Sequence, residues 1–409
     1  MHDVIVVGGG PTGISSAVAA ARNGAQVLLV ERYGFLGGLS TAGMFGSWAT
    51  FHDGEGNQII KGIAQEIVDR LIEIGASPGH IMCETGQTGS VTPFDSEAFK
   101  YLCFELIYQE RISLLLHSFA SGVVMEKEQI RGVKTINESG EQTHYGKIVI
   151  DASGDGDIAV LCGADYNLGR AEDEITQPAT LIFKMANVNT NKFSEFMSES
   201  KTNFFDNLIR FSKSVREDVV TVSVSGVFDI DCNDVWGLTK AELEGARQVF
   251  TISQMLKQRV PGFEEAFTIN SISHVGVRES KRITGEYTLS EQDLINGNKP
   301  EDMIALGCHP IELYDFEVHD LHQCKVPVYG IPLRTIIPKN IKGLIVPGRC
   351  ISATSKAQTS VNSTPTCMAM GQAAGTAAAM AAGHKNDVRE VDLKDLKKAL
   401  IGQGAILEF

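Results

Sequence analysis

A strand that runs into a glycine-rich turn opens the chain, and that turn dictates much of what can follow. Val4-Ile5-Val6-Val7 leads straight into Gly8-Gly9-Gly10-Pro11-Thr12-Gly13. Ala17, Ala21 and Gly24 come next, then a second apolar run, Val27-Leu28-Leu29-Val30, and Glu31. Gly8 permits a tight strand-to-helix turn, Gly10 lets backbone approach a pyrophosphate, and Gly13 lets the helix lie close on the sheet. The N–H groups at the helix start, with the dipole behind them, attract a diphosphate. Glu31, closing the second strand, is placed to accept hydrogen bonds from ribose hydroxyls. Glycine clusters alone mark ordinary turns. Here glycine, alanine, strand and acid fall in register, and the reading is a unit that binds a dinucleotide.

That fingerprint reads only the adenosine-diphosphate half, which NAD and FAD share. Three later segments suit the rest of FAD. Gly37-Gly38-Leu39-Ser40-Thr41-Ala42-Gly43 is a small-residue loop, and Ile148-Val149-Ile150-Asp151-Ala152-Ser153-Gly154 is a strand ending in small residues. Gly343-Leu344-Ile345-Val346-Pro347-Gly348-Arg349 is a strand ending in Gly-Arg, followed by a helix expected from about Thr366 with Gly371 and Gly375 inside it.

Together these segments resemble the FAD-dependent oxidoreductases of the glutathione-reductase-like superfamily, on the branch of fumarate reductase and succinate dehydrogenase flavoproteins. The closer likeness is to a bacterial family of FAD-dependent oxidoreductases. It rests on the Gly37–Gly43 loop, on Gly276-Val277-Arg278-Glu279-Ser280-Lys281-Arg282 and on Gly348-Arg349-Cys350-Ile351-Ser352-Ala353, and it spans nearly the whole chain. The resemblance implies that Gly348-Arg349 lies beside the ribityl chain and that the helix start near Thr366 faces the pyrimidine side of the flavin. A helix N-terminus there would stabilise negative charge on reduced flavin. The expected cofactor contacts are Gly8, Gly10, Pro11, Thr12, Gly13, Glu31, Arg32, Gly37, Gly38, Leu39, Ser40, Val123, Ala152, Ser153, Gly154, Gly348, Arg349, Thr366 and Cys367. The sequence departs from the family pattern at Asn362, where an arginine is expected. Flavoproteins of the succinate dehydrogenase type tether FAD through a histidine near the Gly38 loop. Leu39-Ser40-Thr41-Ala42 holds none and His52 lies too far on, so non-covalent FAD is expected.

Composition suits a soluble enzyme of two or three domains at 409 residues. The net charge of −14, without a basic run, disfavours nucleic acid or an anionic membrane as partner. No stretch approaches the roughly twenty apolar residues of a membrane span. With the fingerprint strand beginning almost at Met1, a leader peptide is not expected and the location is expected to be cytoplasmic. The eight cysteines are scattered with no C-x-x-C, which argues against a disulfide framework and against a disulfide reductase. Cys350 and Cys367 fall near the flavin by resemblance and read as small buried hydrophobes. His309, His319 and His322 lie near Cys308 and Cys324, but the spacing fits no common zinc pattern, and no metal is expected.

The organisation reads as discontinuous: an α/β Rossmann-like FAD-binding domain, a parallel sheet with a β-meander, interrupted by an inserted α+β substrate domain. Residues 1–165 form its first part, 166–330 the insert and 331–409 the completing part. Helices are expected over 61–75, 96–110, 190–198, 240–259 and 393–400. The loop through Pro78, Gly79, Gly86, Gly89 and Pro93 is long enough for a lid or a contact between subunits. Short strands near 114–117, 122–126, 132–137 and 142–145 form a meander across one face of the sheet, before 147–151 returns to it. Extended pieces at 179–185 and 219–228 belong to the insert. No second GxGxxG occurs, so a dedicated nicotinamide domain is not expected.

Flavin carries hydride and one-electron chemistry itself, and the protein supplies orientation, charge and exclusion of water. Arg278, in the charged cluster with Glu279, Lys281 and Arg282, is the leading catalytic candidate by resemblance, with His309 and Arg334 behind it. The leading functional reading is an oxidoreductase moving hydride between a small polar metabolite and FAD, with an unidentified electron donor or acceptor and a possible homo-oligomer. An electron-transfer subunit serving a partner protein is the alternative, and an enzyme using reduced flavin without net oxidation is a third reading.

Overall fold

The computed structural model describes every residue except 44–45, 84–87, 200–208, 229, 272, 316–319 and 384–386. Gly86 and His319 therefore lie outside the described residues. Strand β1 (His2–Val7), helix α1 (Pro11–Arg22) and strand β2 (Val27–Val30) form the opening unit. Strands β3 (Ser113–Leu115), β4 (Phe119–Glu126), β5 (Gln129–Asn137) and β6 (Gly140–Asp151) follow. They assemble in the order β3-β2-β1-β6-β5-β4, with Leu344–Ile345 adding a seventh strand beside β6. The pairs β1–β2, β2–β3 and β1–β6 are parallel, and β4–β5–β6 is an antiparallel meander.

One strand serves both halves of this sheet. Gly140–Tyr145 pairs with the meander strand β5, and Gly146–Asp151 pairs with β1. The sequence suggests two strands here and a meander lying across the sheet face. The structure carries one twelve-residue strand through Gly146, and beyond it the meander folds over one face of the parallel strands, where Ile130 and Val133 share a core with Ile5, Val7, Leu28 and Val30. Gly146 has no side chain to obstruct that passage: a Cβ there would stand 2.8 Å from Ile5 Cγ1.

The insert has its own sheet, from β7 (Ala179–Ala186), β8 (Ile209–Lys213), β9 (Val220–Val227) and, beyond helix α2 (Val235–Arg259), β10 (Phe267–Ser271). Its order is β8-β9-β7-β10, all antiparallel. The two-residue period separates its faces. Leu181, Phe183 and Met185 with Val220, Val222 and Val224 pack with Ala241 and Leu256 of α2 in one core. Ile182, Thr221 and Ser223, on the alternate positions, line a cleft. Helix α2 starts earlier than its sequence pattern suggests, because the Asp234 carboxylate caps it by accepting from the Trp236 and Gly237 amides. The paired strands Met303–Gly307 and Tyr329–Pro332 pack in the main core through Ile304, Leu306, Tyr329 and Ile331.

Helix α3 (Thr364–Ala382) completes that core and is buried along nearly its whole length. It lies against α1 with backbone almost touching backbone. A Cβ at Gly371 would stand 2.3 Å from the Thr12 carbonyl oxygen, and one at Gly375 only 2.0 Å from that of Ser16. Glycine every fourth position thus sets the distance between two helices that begin beside each other. Among the described residues, no helix is long and apolar enough to cross a membrane.

This contact predicts an asymmetric response to alanine. Gly375→Ala forces the helices apart and should lower stability by about 1–3 kcal/mol, as overpacking does. Gly402→Ala, where nothing lies within 4 Å of the added carbon, should be neutral or stabilise by about 0.5–1 kcal/mol through helix propensity. Equal effects of the two in urea denaturation would refute the packing account.

Candidate functional site

The cleft is built from the fingerprint turn outward. Gly8 adopts φ +100°, and a Cβ there would meet the Ala152 carbonyl oxygen at 2.4 Å. A Cβ on Gly13 would stand 1.8 Å from the Gly8 carbonyl oxygen, so only hydrogen is tolerated where α1 crosses the turn. Gly10 is the N-cap of α1 in extended conformation and supplies no capping side chain, and Pro11 follows. The first-turn amides of a helix have no partner within the helix. Gly38 closes in from the other side, where a Cβ would come within 2.9 Å of Gly10 Cα. The result is a bare backbone cradle at a positive helix end, and it suits a diphosphate.

Glu31 is buried at the end of β2. Its Oε2 accepts from the Gly9 amide at 2.6 Å and its Oε1 from the Tyr33 amide at 2.9 Å. Burial pushes its carboxyl above the usual range, with the Tyr33 and Gly9 amides pulling the other way. A carboxylate oxygen accepts more than one hydrogen bond, so capacity remains for ribose hydroxyls. Tyr33 stacks on His274 of the insert, with ring centroids 5.4 Å apart at 11°. His274, Cys232 and Glu242 thereby join Glu31, Arg32 and Ser118-Phe119-Ala120 around this end.

The cavity, about 630 Å³, continues past Leu39, Ser40 and Trp48 to the start of α3 at Asn362-Ser363-Thr364. Ser363, the N-cap of α3, makes no capping bond to its helix backbone, and its hydroxyl donates to Thr366 Oγ1. Two helices therefore open onto one cleft with backbone donors available. Arg349 spans the wall: Nε donates to the Gly154 carbonyl at 2.8 Å, Nη2 to Asp155 Oδ1 at 2.8 Å and Nη1 to the Val277 carbonyl. Burial raises the Asp155 carboxyl, but Arg349 and its other partners outweigh this and hold it below the usual range.

Beyond α3 the cleft becomes polar. Arg278 donates through Nε to Thr180 Oγ1 at 2.5 Å and through Nη1 to Glu312 Oε2 at 2.9 Å, and its guanidinium lies over the Tyr314 ring. Burial pushes the Glu312 carboxyl up, and Arg278, His309 and Arg210 more than reverse that, so it stays ionised. His309 Nδ1 lies 2.9 Å from the hydroxyl of Thr50, a residue held at φ +77°. Burial lowers the His309 pKa, Arg278 and Arg210 lower it further, and Glu312 only partly opposes them. The imidazole is neutral at pH 7.

Most residues singled out from sequence converge here. Gly8, Gly10, Pro11, Thr12, Glu31, Arg32, Gly38, Leu39, Ser40, Ala152, Ser153, Gly154, Arg349, Cys367, Arg278 and His309 line the cleft. Gly13, Gly37, Gly348 and Thr366 shape it from behind; a Cβ at Gly348, for one, would sit 2.8 Å from Thr12 Oγ1. Burial pushes the Cys367 thiol to about 12, so it is not a thiolate at neutral pH. Val123 does not line the cleft: it packs against the core that holds Ile130, and Ala120 on the same strand reaches the cleft. Arg334 is not in the cleft at all. Its Nε donates to Asp302 at 2.8 Å and its guanidinium covers Tyr287, beside a separate cavity of about 310 Å³.

Glu279 does not brace Arg278. It pairs with Arg282, both of them buried, and accepts from the Ser355 hydroxyl and the Gln177 amide. Sequence reasoning missed Glu312, Arg210 and Trp48. Long-range strand pairing brings them in, and only the polar residue inside the apolar run Ile311-Glu312-Leu313 signalled one of them.

Replacing Glu31 with Gln presents an NH2 group to amides that need an acceptor and removes the charged partner of the ribose. Hydrogen bonds to charged groups contribute about 1.5–3 kcal/mol, so the FAD dissociation constant should rise roughly tenfold to a hundredfold. Equilibrium titration of the apoprotein with FAD measures it, and an unchanged constant would remove Glu31 from the ribose site.

Comparison with known proteins agrees with this geometry. No curated protein matches the chain. Among solved structures, a geranylgeranyl bacteriochlorophyll reductase-like protein from Thermoplasma acidophilum is similar with a TM-score of 0.50 at 14% identity, over 98% of this chain and 83% of the other. A triple mutant of the flavin-dependent brominase Bmp2 is similar with a TM-score of 0.50 at 14% identity, over 98% and 84%. At such identities the likeness concerns the fold alone. The FAD dependent oxidoreductase family profile matches residues 3–400, which takes in the fingerprint turn, the insert and α3 alike. The chain belongs to that family, and its cofactor is FAD.

Proposed function

We propose that the protein transfers hydride between a small polar metabolite and non-covalently held FAD. The carrying observation is the meeting of a neutral, half-buried His309 and a fixed Arg278 fork at the end of the cleft where α3 begins. Bound FAD supplies the two-electron chemistry. The chain's own residues do the rest. The α3 N-terminus provides backbone donors where negative charge would develop. Arg278, locked by Thr180 and Glu312, is a planar donor that orients a carbonyl, hydroxyl or carboxylate oxygen. His309, held at Nδ1 by Thr50, moves a proton at Nε2 as the substrate is oxidised or reduced. Arg278 and His309 are half-buried, which limits water at the transfer. The loop Leu39-Ser40-Thr41-Ala42 holds no histidine, and His52 is engaged at Nδ1 by Ser90, which supports cofactor held without a covalent link.

Acid precipitation should therefore release all of the yellow colour into the supernatant as FAD, and flavin left on the pellet would contradict this.

Anaerobic stopped-flow reduction by a metabolite that bleaches the flavin tests the two side chains together. Arg278→Lys should keep its FAD and slow reduction at least tenfold, about 1.4 kcal/mol of lost stabilisation. In substrate oxidation the rate should climb as pH rises through a value below histidine's ordinary 6.5, because only the neutral ring accepts a proton. His309→Asn should lose that limb. Wild-type rates in Arg278→Lys, or an unchanged pH profile in His309→Asn, would overturn the respective role.

A further inference from the structure

Arg210 stands on β8 at the insert's wall of the cleft, remote in sequence from the glycine and charge motifs. Its guanidinium reaches to 3.7 Å of Glu312 Oε1, beyond hydrogen-bond distance, and its side chain is 47% exposed, whereas Glu312 is buried. Both oxygens of Glu312 are already engaged, Oε2 by Arg278 at 2.9 Å and Oε1 by the Gln323 amide at 3.0 Å. The charges at this end are thus unequal. Among the described residues Arg278 and Arg210 share the one carboxylate of Glu312 and His309 is neutral, which leaves one positive charge in excess, with Arg210 the more distant and more exposed of the two. A second feature points the same way. Thr221, on the adjacent strand and in the same wall, has a buried hydroxyl with no partner among the described residues.

We propose that Arg210 is the specificity residue of this site and that the substrate is a small monocarboxylate, its anionic group on Arg210 and its reacting carbon toward Arg278 and His309. The assignment rests on the redox reading above. A guanidinium holds a carboxylate through two parallel hydrogen bonds, and one net charge matches one carboxylate. A dianion would leave its second charge beside Glu312, and a neutral substrate would leave Arg210 unmatched. Arg278 is then the orienting fork and Arg210 the charge that selects.

The test is calorimetric titration of oxidised, FAD-loaded protein with propionate, lactate and 3-hydroxybutyrate, each against its amide, and with malonate as the dianion. At least one acid should bind tenfold or more tightly than its amide, and malonate should bind more weakly than that acid. Arg210→Met should abolish the preference for acid over amide, and Arg210→Lys should restore most of it. FAD content should be the same in all three proteins. Equal binding of acids and amides, no binding of either, tighter binding of malonate, or a preference that survives in Arg210→Met would each overturn the proposal. No turnover is involved. A protein that binds these acids but is reduced by no metabolite would defeat the redox reading and leave the carboxylate site standing.

Discussion

The contact between α1 and α3 governs the site. Gly371 and Gly375 let α3 come so near that its missing side chains would otherwise lie within 2.3 Å of α1 carbonyl oxygens. Through that closeness two helix N-termini, with Gly10 and Ser363 at their N-cap positions and no side-chain cap on either, open on a common cavity. An anion at one end and developing negative charge at the other can then be met by backbone donors alone. Side chains of that region are released for shaping and for contacts to the substrate.

The polar end follows a different logic. Arg278, Glu312 and His309 come from three separate segments, and each fixes the state of another. Arg278 keeps the buried Glu312 ionised, and the guanidinium groups with burial keep His309 neutral. Breaking one partner of such a group leaves an uncompensated charge, which costs far more than the intact arrangement contributes. A set of this kind holds its geometry because no member can relax alone.

The cofactor half of the site was legible in the chain because it is local. Gly8, Gly10, Gly13 and Glu31 come together within one strand–helix–strand unit, so spacing alone places them. The helix of Gly371 and Gly375 was legible too, as an alanine-rich run. The substrate half was not. Arg278 stood out only by likeness to a family, and its neighbour Glu279, which looks equivalent in sequence, turns inward to Arg282. Arg334 looked suitable by type and proved to belong to an ion pair with Asp302 elsewhere. Glu312, Arg210 and Trp48 are brought in by antiparallel pairings whose register no local pattern specifies. Val123 does not line the cleft and Ala120 does, because a strand's pattern gives its faces but not the point at which it passes a cavity.

The strand Leu344–Ile345 and helix α3 have a bearing on how the molecule is made. The ribosome delivers β1, α1 and β2 well before α3, and a segment of that composition forms its local contacts early. Yet the surface α1 needs is at positions 371 and 375, and the wall strand beside β6 is at 344–345. Until α3 is made, α1 must keep an apolar flank without its partner, and the half-built cradle lacks the second helix end. The cleft is therefore complete only once the segment 344–382 has been made and packs back on β1, β6 and α1.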